Sequence, residues 1–258
     1  MLGNRKSHPP KSVAATILCM VMASVALAAT AEEEWNKLVG DRLMKNPAFA
    51  YVENDPSLPN VLIYGDSISI AYTDRVRTRL EGKANVYRLH TNGSHSGALI
   101  ENMTRMLETM KDPMLDKPWD FGWDVIHFNV GLHDLKRLPD KQTSDPINSV
   151  EAYKANLEKI IAYLKETAPD ATLIFATTTP VPKGEKIRVE GTGKIYNAAA
   201  MEVLEKHPDI RINDLHAFTL PNYGKWCTKP NNVHYNKTGY TAQGDEVARI
   251  ISKALPKK

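Results

Sequence analysis

Residues 60–69 read Asn60-Val61-Leu62-Ile63-Tyr64-Gly65-Asp66-Ser67-Ile68-Ser69. The unbroken apolar run predicts a strand over Asn60 to Tyr64 that is buried on both faces, because a half-exposed strand would alternate. Gly65 permits a tight turn after it. Ser67 then falls where a helix should begin, beside free backbone N–H groups that can stabilise developing negative charge. Capping of that helix by Asp66 or Ser67 explains the same residues more simply.

The unit recurs along the chain. Further strands are expected at Asn85 to His90, Val125 to Val130, Thr172 to Thr177 and Ile210 to Asn213. Helical patterns lie between them, at roughly Ala71 to Glu81, Leu99 to Met110, Ser149 to Glu166 and Lys194 to Lys206, and a last helix starts near Thr238. Such alternation predicts an α/β fold with a parallel sheet wrapped by helices on both sides. Its ligand crevice should lie beyond the carboxyl ends of the strands. Residues 32–59 read as an N-terminal extension, one short helix around Trp35 to Met44 and then extended chain, ahead of a single domain over 60–258.

The first 31 residues carry a different message. Arg5, Lys6 and Lys11 precede the apolar run Val13 to Ala28, followed by two A-x-A sites, Ala26-Leu27-Ala28 and Ala29-Thr30-Ala31. This is the pattern of an export signal cleaved after Ala28 or Ala31, and the run is short and Ala-rich for a membrane span. A periplasmic or secreted protein is expected, with no transmembrane anchor after processing. The three basic residues account for the whole excess of 33 basic over 30 acidic residues. The processed chain is therefore near neutral, and no nucleic-acid partner is expected. Cys227 is the one cysteine beyond the signal, so the fold must rest on its core without an internal disulfide.

Three other segments end strands or precede the last helix on the same side of the predicted sheet. Thr91-Asn92-Gly93-Ser94 follows the second strand, and Gly131-Leu132-His133-Asp134 follows the third. Near the C-terminus, Pro230-Asn231-Asn232-Val233-His234 offers an imidazole that can take a proton from a serine hydroxyl. The segment around Ser67 is not a G-x-S-x-G elbow, since Ser69 stands where the second glycine is needed.

Together the four segments resemble the blocks of the SGNH or GDSL hydrolases, a family of esterases and lipases. Gly65-Asp66-Ser67 is similar to the nucleophile block, Gly93 to the glycine block, Gly131-Leu132-His133-Asp134 to G-x-N-D and His234 to the base block. The resemblance implies a three-layer α/β/α, flavodoxin-like fold with a five-stranded parallel sheet and a shallow, exposed site. It implies ester hydrolysis through an acyl-enzyme, with Ser67 as nucleophile, His234 as general base, and an oxyanion hole made by the N–H groups of Ser67 and Gly93 and the side chain of His133.

Two departures stand out. His133 replaces the asparagine donor of the third block, and its ring N–H can serve only in the right tautomer. A protonated ring would donate more strongly, an advantage lost above a pKa near 6.5. In the base block, the position of the triad aspartate, three residues before His234, holds Asn231, followed by Asn232. An asparagine carbonyl can orient an imidazole but cannot stabilise an imidazolium as a carboxylate does. The alternatives are a Ser–His dyad steered by Asn231 or a backbone carbonyl, a carboxylate from elsewhere such as Asp214, or a weakened enzyme; the dyad is favoured. Asp66, Asp134 and Asn232 are possible supporting residues.

The remaining candidates are weaker. His127 lies inside a strand and reads as a core histidine. No H-E-x-x-H or paired-cysteine spacing occurs, so neither metal nor cofactor is expected. The run Lys183 to Arg188 can touch an anionic substrate, although a solvated loop is the simpler reading. Tyr72, Trp119, Trp123, Tyr223 and Trp226 can form a rim for a sugar or acyl group, with core packing as the default. The expected function is an exported serine esterase acting on a small-molecule or polysaccharide ester, most readily the O-deacetylation of a carbohydrate. The competing readings are a carbohydrate-binding pseudoenzyme and a lipase or thioesterase acting on envelope lipids.

Overall fold

The structure is a computed structural model, which describes residues 29–256. The apolar run Val13 to Ala28 lies outside the described residues.

Five parallel strands form the sheet: β1 (Asn60–Tyr64), β2 (Asn85–Arg88), β3 (Val125–Phe128), β4 (Thr172–Ala176) and β5 (Arg211–Asn213), in the order β2-β1-β3-β4-β5. The helices are α1 (Ala31–Val39), α2 (Asp41–Met44), α3 (Ser67–Leu80), α4 (Leu99–Met110), α5 (Val150–Thr167), α6 (Thr192–Leu204), α7 (Leu215–Thr219), α8 (Tyr223–Trp226) and α9 (Lys237–Ser252). Helix α3 packs on α9, while α5 packs on both α4 and α6, giving a three-layer α/β/α sandwich. The fully buried β1 and β3 run side by side, Tyr64 opposite Phe128, and end level. Strand order reverses between them, so the chains leaving β1 and β3 diverge and open a crevice. The Gly65 and Gly131 segments leave the sheet there.

The expected strands β2 and β3 overrun the paired ladders by two residues. Leu89 and Val130 are nonetheless buried. Apolar character reports burial, and burial continues where the chain has already turned from its neighbour toward the site.

Residues 32–59 are woven into the domain. The single helix expected there is broken at Gly40, whose φ of +79° ends α1 and starts α2, and a 3-10 turn follows at Pro47–Phe49. Trp35 and Phe49 are buried in the common core, joined by a 2.7 Å hydrogen bond from Trp35 Nε1 to the Phe49 carbonyl. Trp119 and Trp123 join Trp35, Tyr87 and Phe121 in an aromatic cluster around the approach to β3, away from the crevice. These tryptophans and the buried Tyr72 therefore form no substrate rim. His127 is fully buried, 3.1 Å from the Asn213 amide, and burial pushes its pKa down to about 4, so it is a neutral core residue.

Candidate active site

Asp66 caps α3, its Oδ1 accepting from the Ile68 N–H at 2.9 Å. Ser67 is the first residue of that helix, so its own N–H has no intrahelical acceptor. Ser69 Oγ donates to the Asp66 carbonyl at 2.7 Å and accepts from Arg88 Nη2 at 3.1 Å. Arg88 is fully buried, lies 4.4 Å over the Phe49 ring and also donates to the carbonyls of Leu89 and Thr91. Burial lowers its pKa to about 9. This guanidinium ties the chain leaving β2 to the turn that carries Ser67. Sequence reading passed over it, although a charged residue in a strand expected to be buried is itself a signal.

His234 reaches the same place from the loop before α9, with Nε2 2.9 Å from Ser67 Oγ. Asn232 Oδ1 lies 2.8 Å from the ring Nδ1 and 2.9 Å from the His234 backbone nitrogen. A backbone N–H can only donate, so the amide atom facing it must be the oxygen. The same oxygen then accepts from Nδ1–H, which leaves Nε2 unprotonated and able to accept the Ser67 hydroxyl proton. The loop is braced by Tyr223, whose hydroxyl donates to the Asn232 carbonyl at 2.6 Å, and by the Thr228 N–H, which donates to the His234 carbonyl at 2.9 Å. Burial is the largest influence on the His234 pKa and lowers it, Asp66 opposes, and Arg188 and Lys136 lower it further.

Asn231 does not make the expected bond. It is exposed on the loop, and the imidazole is held by Asn232. The reason is local: an Asx turn closes from a side-chain oxygen to the N–H two residues on, a geometry open to position 232 and not to position 231. Asp214 caps α7, accepting from Ala217 N at 3.0 Å and the Thr177 hydroxyl at 2.9 Å, and makes no bond to His234. Asp134 is fully buried and binds the Ser96 N–H and hydroxyl and the Asn148 amide, so it fastens the third block to the turn before α4.

The oxyanion donors also differ from expectation. The Gly93 N–H donates to the Gly65 carbonyl at 3.0 Å and is not free for a substrate. Gly93 is needed for space: a Cβ there would stand 2.7 Å from the Tyr64 ring and 2.8 Å from the Gly65 carbonyl oxygen. His133 Nδ1 lies 2.9 Å from Lys136 Nζ, nearer than Nε2 at 3.4 Å. An ammonium can only donate, so the ring nitrogen it bonds must accept, and the shorter contact favours Nδ1 as that acceptor with the proton on Nε2. Burial first, then Lys136 and Arg188, push the His133 pKa down to about 3. The lowered pKa favours a neutral ring over the protonated form considered from the sequence.

A serine hydroxyl on an unprotonated imidazole, at the head of a helix beyond β1, coincides with a match to the family model described as GDSL-like Lipase/Acylhydrolase over residues 63–242. The chain belongs to the GDSL-like lipase/acylhydrolase family. It is a carboxylic ester hydrolase of that type. Solved structures share its fold at low identity. A lipase/acylhydrolase from Enterococcus faecalis matches with TM-score 0.59 and 18% identity over 78% of this chain and 98% of its own. An acetylxylan esterase from Geobacillus stearothermophilus matches with TM-score 0.56 and 15% identity over 78% and 97%. No curated protein matches the chain in sequence.

In this GDSL-type hydrolase, a cleft of about 590 Å³ adjoins His234, lined by Lys136, Glu185 to Arg188, Lys229 and Asn231 to Val233. In the segment 183–188, Lys183, Gly184 and Lys186 are exposed as a solvated loop would have them, whereas Glu185 and Arg188 are buried. Arg188 is buried and donates from Nε to the Leu132 carbonyl at 2.8 Å, directly before His133. Among the described residues, no helix is long and apolar enough to cross a membrane.

Proposed function

We propose that this hydrolase removes short acyl groups, acetyl foremost, from a carbohydrate outside the cytoplasm. The observation that carries the reading is Ser67 Oγ at 2.9 Å from an imidazole nitrogen whose tautomer is fixed to accept. His234 takes the hydroxyl proton as Oγ attacks the ester carbonyl carbon. The oxygen of the resulting tetrahedral adduct is met by the Ser67 N–H and the His133 Nε2–H. Collapse expels the alcohol, which receives the proton from His234, and leaves an acyl group on Ser67. Water, deprotonated by His234, then attacks that ester, releases the acid and restores the serine.

The charged and amide walls of the cleft disfavour a long acyl chain and fit a sugar better. Two enzymes whose structures share this fold are acetylxylan esterases, which makes acetylated xylan a sensible first substrate. For export, cleavage after Ala28 is the better of the two sites. Thr30 and Glu33 form a reciprocal capping box at the start of α1, and the Ala29 carbonyl and Ala31 N–H both bond to Asp116, all of which cleavage after Ala31 would remove. The test is acetate release from an aryl acetate and from acetylated xylan by residues 29–258. Hydrolysis that disappears in Ser67→Ala supports the reading, and equal release by both proteins overturns it.

A further inference from the structure

We infer that the cleft beside His234 is a subsite for an anionic group on the substrate, so that the natural ester is borne by an acidic saccharide carrying a carboxylate or sulfate. The inference rests on the esterase reading above and narrows its substrate.

Four cationic side chains line the cleft, Lys136, Lys186, Arg188 and Lys229, against the single carboxylate of Glu185. That carboxylate is already engaged, one oxygen accepting from Arg188 Nη1 at 3.1 Å and the other from the Ile187 N–H at 2.8 Å. Lys136, Lys186 and Lys229 form no ion pair among the described residues. Lys136 is half-buried and, among the described residues, its ammonium bonds to His133, with Arg188 as a neighbouring cation and the buried cap Asp66 as the main opposing charge.

Grouping cations in one cleft costs repulsion and, for Lys136, desolvation, in a chain whose charges balance as a whole once the first 31 residues are set aside. The fold does not require it, since three of the four serve no structural ion pair. The group is also held in place: the Arg137 N–H donates to the Ile187 carbonyl at 2.7 Å and Arg188 to Leu132, which fixes the basic segment against the His133 block. Guanidinium and ammonium donors in such an arrangement favour carboxylate or sulfate oxygens. The cleft's volume suits a sugar residue.

Two measurements separate this inference from the reading beneath it. The first is calorimetric binding of trigalacturonate and of neutral xylotriose to Ser67→Ala protein. The acidic trimer should bind about tenfold or more tightly, and the difference should vanish near 1 M NaCl, where the screening length is about 3 Å. The second compares turnover of 4-nitrophenyl acetate with 3-carboxy-4-nitrophenyl acetate by wild type and by the Lys186→Gln/Lys229→Gln variant. The ratio of kcat/KM should favour the carboxylated ester in wild type, chiefly through KM, and fall about tenfold in the variant; a general loss of activity cancels in the ratio. Equal binding of both trimers, or a ratio unmoved by the substitutions, overturns the anionic subsite. Salt-sensitive binding of trigalacturonate with no turnover of either ester overturns the esterase reading and leaves the subsite standing.

Discussion

Asn232 holds His234 at two points through one atom, its Oδ1 accepting both the backbone N–H at 2.9 Å and the ring Nδ1–H at 2.8 Å. The backbone bond orients the amide and so sets the tautomer without a carboxylate. Asn232→Ala removes both bonds and should lower kcat by about tenfold to a hundredfold with little change in KM. Asn231→Ala should cost far less kcat, because its side chain does not touch the imidazole. Steady-state kinetics of the two variants side by side decide which asparagine matters.

The pH profile follows from the same ring. His234 must be neutral to accept the Ser67 proton, and burial, Arg188 and Lys136 hold its pKa below the ordinary 6.5 against the pull of Asp66. kcat/KM should therefore rise with pH and level off above an apparent pKa below 6.5. Asn232→Asp puts a negative charge against Nδ1, favours the charged ring and should move that limb to higher pH by about one unit or more. A limb that stays in place would show that the residue at position 232 does not face the ring.

His133 should act as a neutral donor. Its pKa near 3 keeps it uncharged across the working range, so no activity step from its deprotonation is expected above about pH 5. His133→Ala should lower kcat by about a hundredfold, the usual cost of one oxyanion donor, while His133→Asn should recover part of the loss. Rates of an aryl acetate at saturation measure this.

Gly93→Ala tests packing against donation. A Cβ in the Gly65 carbonyl and Tyr64 ring must displace the turn that carries Ser67. Overpacking of this kind costs about 1–3 kcal/mol. Urea unfolding should show that loss together with reduced kcat, whereas a donor role alone leaves stability unchanged.

The sheet was legible because Val61 to Tyr64 and Leu173 to Ala176 are continuous apolar runs and Val125 to Phe128 is broken only by His127, and burial on both faces writes itself into composition. Ser67 and His234 were legible because each stands beside a structural boundary, a helix start in both cases. What escaped depends on directions that composition does not carry. Asn231 and Asn232 are chemically identical, and only the Asx turn selects the second. Gly93 invites a donor role, yet its N–H is turned to Gly65. The segment Lys183 to Arg188 is solvated at Lys183 and Lys186, but composition does not show that Arg188 turns inward to Leu132. The short helices α7 and α8 are set by the Asp214 cap and by tertiary packing, with too few residues for a period to show.

The central claim is that Ser67 is a nucleophile activated by His234. Its most direct test is labelling of residues 29–258 with a fluorophosphonate probe, followed by peptide mass spectrometry. A single adduct on Ser67 is predicted, absent in Ser67→Ala and slowed by about a hundredfold or more in His234→Ala. An unlabelled protein, an adduct on another residue, or labelling of Ser67 at the same rate without His234 would contradict it.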